Sequence, residues 1–339
     1  MLDSSVTNPP FLHHYGAFFH NTPKASSSNG SSSPRGVIGE CDLPIIDLSM
    51  LRSAIEGERK ACIEAIAKAS SEWGFFQVLN HGVSQQLLME MRGEQVKVFE
   101  LPFEKKVSCG ILNDSYRWGN PLATSLEQFL WSEAFHVPLN KISEEGCVPL
   151  EFNSLREAME KLAEEMSKLA WTLAGVLAGN LGHAGQSFTE NCDGSTCFLR
   201  LNRYPPCPFL PEIFGLMPHT DSDFLTILYQ DQVGGLQLMK DSKWVAVKPN
   251  PDALIVNIGD LFQAWSNDVY KSVKHKVVTN ESVERYSIAY FMCPSYDSLI
   301  GSCRETSLYK QFTFGEFRRQ VQEDVKKTGQ KIGLPRFLL

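Results

Sequence analysis

Nowhere does the chain run to the ~18 consecutive apolar residues that a membrane-crossing helix needs, and its N-terminus has no charged patch leading into an apolar stretch of the secretory kind. Lys and Arg form no stripe. The 32 basic residues are outnumbered by 39 acidic ones, for a formal charge of −7, which disfavours a nucleic-acid face. No C-x-x-C pair occurs among the nine cysteines (41, 62, 109, 147, 192, 197, 207, 293 and 303), whose number is odd and whose spacing is scattered. That usage points to reduced thiols and away from zinc ribbons or disulfide scaffolds. No internal repeat is visible. The expectation is a cytoplasmic protein with no membrane or nucleic-acid partner, its 339 residues sufficient for one large domain or two small ones.

What is present divides into three parts. Residues 1–40 read as a flexible N-terminal segment: NPPFLHHYGAFFHNTP is an aromatic peg able to dock on a folded body, and KASSSNGSSSPRG is a linker by composition. His13, His14 and His20 in a flexible tail would bind metal only adventitiously. Residues 41–150 mix strands and helices: LPIIDLSML opens with a short strand and ERKACIEAIAKASSEWG is a helix with Cys62, Ile66, Ala69 and Trp73 on one face. GFFQVLNHG is then a strand and turn, and a helix after Ser84 carries Leu87, Met91 and Val98. Residues 151–339 open on a long helix with the box Ser154-x-x-Glu157. Its apolar stripe is Leu155, Met159, Leu162, Met166, Leu169, Leu173 and Val176, read as core packing with a coiled-coil partner as the alternative.

From Cys197 onward the texture is β-rich. FLRLNRY, FLTILYQ, GGLQLMKDSKWVAVKP, ALIVNIGD, SVKHKVVTN and RYSIAYFMCP are short runs between turn residues, with Gly234-Gly235 and Asp241-Ser242 as punctuation. An antiparallel sandwich or jelly roll is predicted, with an amphipathic helix from about Phe314 to Val325 covering an edge.

In MPHTDSDFLTILYQ, His219 and Asp221 project from the same side of an extended chain while Thr220 projects oppositely. The pair fits two metal ligands or a polar turn at a strand end. His275, in KHKVV, adds a third donor, and two histidines with one carboxylate are the facial triad of non-haem Fe(II); zinc sites also use such a set. Arg285 and Ser287 in RYSIAYF stand at i, i+2, a guanidinium fork beside a hydroxyl that suits a carboxylate. In RLNRYPPCP, Arg200, Asn202 and Tyr204 share one face and Arg203 takes the other. His81, His136 and His183 read as structural, and Lys276 points away from its neighbour His275.

H-T-D, a histidine about fifty residues on, R-x-S, and N-x-Y-P-P-C resemble, in this combination, the plant 2-oxoglutarate- and Fe(II)-dependent dioxygenases. LPIIDLS and WGFFQVLNHGV resemble that family's N-terminal region, so the likeness covers most of the chain. The resemblance implies an α+β protein: a double-stranded β-helix (jelly roll) core with flanking helices. It implies Fe(II) on His219, Asp221 and His275, and 2-oxoglutarate on Arg285 and Ser287 with Tyr204 assisting and Asn202 near the keto-acid end. O2 is then the oxidant, with ascorbate an assisting reductant. Succinate and CO2 leave as a substrate C–H bond is hydroxylated.

SYRWGNPLATSLEQFLWSEAFHVPL, together with NPPF and NRYPPCP, is similar to the gibberellin 2-oxidases, in particular those acting on twenty-carbon gibberellins. The implied substrate is a rigid apolar diterpenoid acid. Its pocket needs an apolar wall, for which Phe291 and Trp118 are candidates, and a cation, for which Arg200 and Arg117 are. Trp118, Trp131 and Phe135 fit ordinary core packing equally well. The competing readings are another gibberellin position or a flavonoid, a non-catalytic small-molecule binder on a jelly roll, and a zinc hydrolase.

Overall fold

The β-branched and aromatic runs fold as strands with alternating faces. In chain order these are β1 (Val37–Cys41), β2 (Ile45–Asp47), β3 (Phe75–Leu79), β4 (Tyr116–Trp118), β5 (Glu133–Pro138), β6 (Phe198–Tyr204), β7 (Phe214–His219), β8 (Leu225–Gln230), β9 (Leu236–Lys240), β10 (Lys243–Val247), β11 (Leu254–Ile258), β12 (His275–Val278) and β13 (Arg285–Met292). The computed structural model describes residues 7–19, 37–108, 112, 115–121, 123, 128–144, 149–183, 192, 194–209 and 213–339. The serine-rich linker lies outside the described residues.

Two sheets carry the architecture. One has the order β1-β10-β9-β12-β7 and the other β2-β3-β11-β8-β13-β6-β5-β4. Pairings are antiparallel apart from the parallel β1–β10 and β2–β3 edges. The expected jelly-roll core is therefore present, and strands from the N-terminal half extend it at both edges of the larger sheet. The β9–β10 connection is a two-residue hairpin in which Asp241 and Ser242 both take positive φ, the conformation of a type I′ turn.

The long helix runs Asn153–Asn180 and buries Leu155, Met159, Leu162, Met166, Leu169 and Leu173 as their spacing predicts. Each such side chain contributes about 1.5–3 kcal/mol. Two details differ from expectation. Val176 is only partly buried and Leu177 takes the core position, because a 3.6-residue turn drifts off a strict four-three repeat. Ser154 caps nothing: it lies inside the helix and its Oγ donates to Glu94 Oε2 at 2.9 Å. The capping box belongs instead to the helix Phe314–Thr328, where Glu316 N donates to Thr313 Oγ1 and Thr313 N to Glu316 Oε2. That helix runs past Val325 and stops at Gly329, whose φ of +73° closes its last turn.

The helix Glu56–Glu72 buries Cys62, Ile66 and Ala69, and Trp73 stands at its C-terminus beneath the Lys240 ammonium. Ser84 caps the helix Gln85–Phe99 by accepting from Leu87 N, and Leu87, Met91 and Val98 are buried as expected. The aromatic peg does dock. It forms a helix, Phe11–Phe19, with Phe11 stacked on Trp131 and Tyr15 on Phe129. Behind it, Lys106 is buried with its ammonium on Glu133 Oε2 at 2.6 Å and on the carbonyls of Thr7 and Phe99. Arg203 reaches the other oxygen of Glu133 at 2.7 Å, which explains why it faces away from Asn202. Among the described residues no helix is long and apolar enough to cross a membrane, and the described cysteines are free thiols.

Candidate active site

Register brings the first set of residues together. β12 pairs with β7 so that His275 stands opposite His219, and the turn after β7 returns Asp221 beneath them. Their potential ligand atoms all lie within 4.8 Å of one another, with Asp221 Oδ1 at 3.5 Å from His219 Nε2 and 3.7 Å from His275 Nε2. Each imidazole is oriented from behind: His219 Nδ1 is 2.7 Å from the Met217 carbonyl and His275 Nδ1 is 3.1 Å from the Val273 carbonyl. A carbonyl only accepts, so both Nδ1 atoms carry the proton and both Nε2 lone pairs face Asp221. Burial and the adjacent His219 push His275 down to about 4, so it is neutral at ordinary pH and available as a donor. Burial alone would raise Asp221, but its attraction for the imidazolium forms of His275 and His219, with the hydrogen bond from the Thr226 hydroxyl, more than offsets it and sets the carboxylate well below its usual range.

The far oxygen of Asp221 is held by residues that motif reading missed. Asn257 Nδ2 donates to Oδ2 at 2.7 Å and Thr226 Oγ1 at 2.6 Å, leaving Oδ1 turned to the histidines. Thr226 also lies 2.9 Å from Asp223 Oδ2. One hydroxyl proton cannot serve two carboxylates. Burial and the charge of Asp221 raise Asp223 well above its usual range, which favours a proton on its carboxyl and lets the Thr226 hydroxyl donate to Asp221. The turn is fastened to the start of the helix Asp260–Trp265: Gly259 N, Asp260 N and Leu261 N donate to the carbonyls of Phe224, Asp221 and Asp223. A Cβ at Gly259 would stand 2.0 Å from Asp223 Oδ1, so only glycine allows this approach. The sequence signal for Asn257 was slight: a lone amide in the apolar strand ALIVNIGD.

Arg285 is placed by the β13–β6 register, which sets Arg285 against Tyr204, Ser287 against Asn202 and Ala289 against Arg200. It is 2% exposed. Gln230 Oε1 accepts from Nη2 at 2.7 Å, while Nε and Nη1 are buried with no partner. Such donors are costly unless a ligand completes them, and a carboxylate fits their fork. The Tyr204 ring lies 4.9 Å from the guanidinium, and Asn202 Nδ2 is 3.3 Å from Ser287 Oγ. These groups and the His-Asp-His set line one cavity between the two sheets, with apolar walls from Phe75, Leu216, Leu228, Leu236, Val277 and Phe291. A larger polar cleft, about 260 Å³, lies outside around Tyr296, Thr313 and Arg319 and holds none of them.

The substrate candidates separate. Arg200 and Phe291 line the cavity, Arg200 donating to Asn202 Oδ1 at 2.8 Å and Phe291 stacked on Phe198. Trp118 does not. It packs against Phe11, His14 and Phe103, because alternation along β4 turns it toward the docked N-terminal helix. Arg117 is exposed on the outermost strand, β4, and is not part of the cavity wall, since β5 and β6 stand between. Trp131 and Phe135 are core, with Trp131 Nε1 donating to the Pro206 carbonyl. His81 accepts from Val83 N and His183 packs on Trp265, both structural. His136 stacks on Phe198 and is paired with Arg200 in register, which puts it on the cavity-facing side of its sheet. Lys276 turns to the sheet face opposite His275, where it is buried over Phe214 and Trp244.

A jelly roll holding two histidines and a carboxylate beside a buried, incompletely paired arginine defines a non-haem iron oxygenase that uses a 2-oxo acid. Residues 195–294 match the family model of the 2OG-Fe(II) oxygenase superfamily, residues 43–150 match that of the non-haem dioxygenase in morphine synthesis N-terminal, and the chain belongs to this superfamily. Within it, the chain is similar to gibberellin 2-beta-dioxygenase 6 of Oryza sativa subsp. japonica, 62% identical over 309 residues, 89% of this chain and 86% of that one. It is 56% identical to gibberellin 2-beta-dioxygenase 8 of Arabidopsis thaliana over 337 residues, 98% of both. Among solved structures it resembles JOX2 in complex with 2OG, Fe and JA, with a TM-score of 0.70 and 33% identity over 86% of this chain and 90% of that one. The protein is an Fe(II)- and 2-oxoglutarate-dependent dioxygenase.

Proposed function

We propose that the chain hydroxylates gibberellins at the 2β position, with twenty-carbon gibberellins as its substrates. The observation that carries this reading is the likeness, over nearly the whole chain, to gibberellin 2-beta-dioxygenases. His219 Nε2, His275 Nε2 and Asp221 Oδ1 would hold the iron. The tautomer set by the Met217 and Val273 carbonyls and the donors on Asp221 Oδ2 fit that role. Iron with 2-oxoglutarate supplies oxidative decarboxylation of the 2-oxo acid coupled to oxygen insertion into a C–H bond.

The remaining work belongs to the chain. Arg285 Nε and Nη1, with Ser287 Oγ, take the far carboxylate of 2-oxoglutarate, which completes two buried donors. Tyr204 supports the guanidinium face, and Asn202 orients both Ser287 and Arg200. Arg200 pairs with a substrate carboxylate, and Phe291 with the other apolar walls grips the ring system and excludes water from the reacting carbon.

The test is anaerobic incubation of the protein with Fe(II), 2-oxoglutarate and a panel of twenty- and nineteen-carbon gibberellins, followed by O2 and measurement of succinate and product mass. Succinate coupled to one oxygen at C-2 of the twenty-carbon compounds is the expected result. Coupling to nineteen-carbon compounds, to another carbon or to a flavonoid alone overturns the substrate reading. No succinate with any of them overturns the catalytic one.

A further inference from the structure

β7 ends at His219 and β8 begins at Leu225, so the turn carrying Asp221 has no strand pairing of its own. Its backbone carbonyls are captured instead. Asp260 N takes the Asp221 carbonyl at 2.9 Å, and the Thr220 carbonyl accepts from Lys331 Nζ at 2.8 Å, across 111 residues of chain. Lys331 Nζ also lies 2.7 Å from Asp260 Oδ2, and that same oxygen accepts from Thr220 Oγ1 at 3.1 Å. Thr220, Asp260 and Lys331 form a closed ring of contacts directly behind the two donors. The Lys331 side chain is 10% exposed and the Asp260 side chain 4%, and the ammonium stands near the Phe317 ring, so the cation is set into the structure.

We infer that Lys331 is a positioning residue of the metal centre, the buried cation by which the C-terminal segment latches onto the His219–Asp221 turn. The inference rests on the reading that His219, Asp221 and His275 hold the iron. His219 is the most open of the three, its side chain 26% exposed against 9% for His275 and 7% for Asp221. Packing therefore constrains it least, and the turn's backbone must do the rest. Without the latch the Thr220 carbonyl and Asp260 lose their shared partner, a buried carboxylate is left without its cation, and the spacing of His219 and Asp221 loosens. Lys331 touches neither substrate nor the reacting atoms. Its expected signature is in metal affinity.

The experiment is anaerobic titration of the full-length protein with Co(II), followed by its ligand-field absorption, for wild type, Lys331→Met, Lys331→Arg and His219→Ala, at a temperature where circular dichroism shows each folded. Lys331→Gln replaces Lys331→Met if the latter does not fold. We expect Lys331→Met to bind Co(II) about tenfold or more weakly with a changed band shape, and Lys331→Arg to recover most of the affinity. Wild-type affinity in Lys331→Met, even with a lowered melting temperature, overturns the latch. Loss of affinity in His219→Ala beside wild-type affinity in Lys331→Met overturns the latch alone. Undiminished affinity in His219→Ala overturns the ligand reading and the latch with it.

Discussion

His275 on β12 pairs directly with His219 on β7, and their ring centroids stand 4.3 Å apart. Two residues far apart in the chain are thereby locked into one register, so a slip of either strand by one position would turn a histidine away from the cavity. The geometry of the donors is a property of the sheet, and Asp221 is the member that depends on additional support.

That support is Asn257 and Thr226. Asn257→Leu combined with Thr226→Val removes both donors to Asp221 Oδ2 and frees the carboxylate to rotate. Affinity for Fe(II) should fall about 10- to 100-fold. Anaerobic Fe(II) titration of the folded double variant checks it, and unchanged affinity would contradict the role given to these residues.

Arg285→Ala removes the fork with its two unpartnered donors. The KM for 2-oxoglutarate should rise about tenfold or more, corresponding to loss of a charge-assisted hydrogen bond of about 1.5–3 kcal/mol. Succinate release measured against 2-oxoglutarate concentration gives the answer. An unaltered requirement would refute the assignment.

Arg200→Ala should weaken free-acid substrates more than their methyl esters, by about tenfold in KM for the acid. Equal losses for acid and ester would mean that Arg200 acts through its hydrogen bond to Asn202 and not on the substrate.

His136 provides a pH signature. Burial, then the charges of Arg200, Arg318 and Arg117, push it down to about 4 from 6.5. The unfolded chain takes up a proton below 6.5 while the folded protein resists until about 4, so stability is full above 6.5 and is lost as the pH falls through that window. The slope is at most about 1.4 kcal/mol per pH unit and less with the ring partly exposed to solvent. Melts at several pH values should show a shallower acid loss for His136→Phe than for wild type; parallel profiles would exclude His136 as the source.

Lys106→Met should destabilise by about 3 kcal/mol, because Glu133 is left in the interior with one cation fewer and the Thr7 and Phe99 carbonyls lose a donor. Chemical denaturation measures it. A neutral outcome would show that Arg203 alone satisfies Glu133.

The chemistry of the cavity was legible where it follows from alternation along one strand. Arg200, Asn202 and Tyr204 share one face of their strand, as alternation requires, and Arg285 and Ser287 share one of theirs. Legibility ended where partners lie far along the chain. The Ser154-x-x-Glu157 spacing has the form of a capping box, yet Ser154 bonds Glu94 on another helix. Trp118 sits beside plausible pocket residues in sequence but answers to Phe11, which docks from the N-terminus. Nothing local distinguishes Asn257 or Lys331 from any other strand amide or surface-prone lysine.

Side-chain type and short-range periodicity were enough to specify the elements, the faces they present and the donors on offer: two imidazoles, a carboxylate and a guanidinium within a β-rich half. Which of these meet was decided by pairing register and by the closing of turns, since hydrogen-bond ladders join strands regardless of their separation in the chain. The raised pKa of Asp223 and the unpaired donors of Arg285 come from burial, which acts only once the two sheets have closed over them.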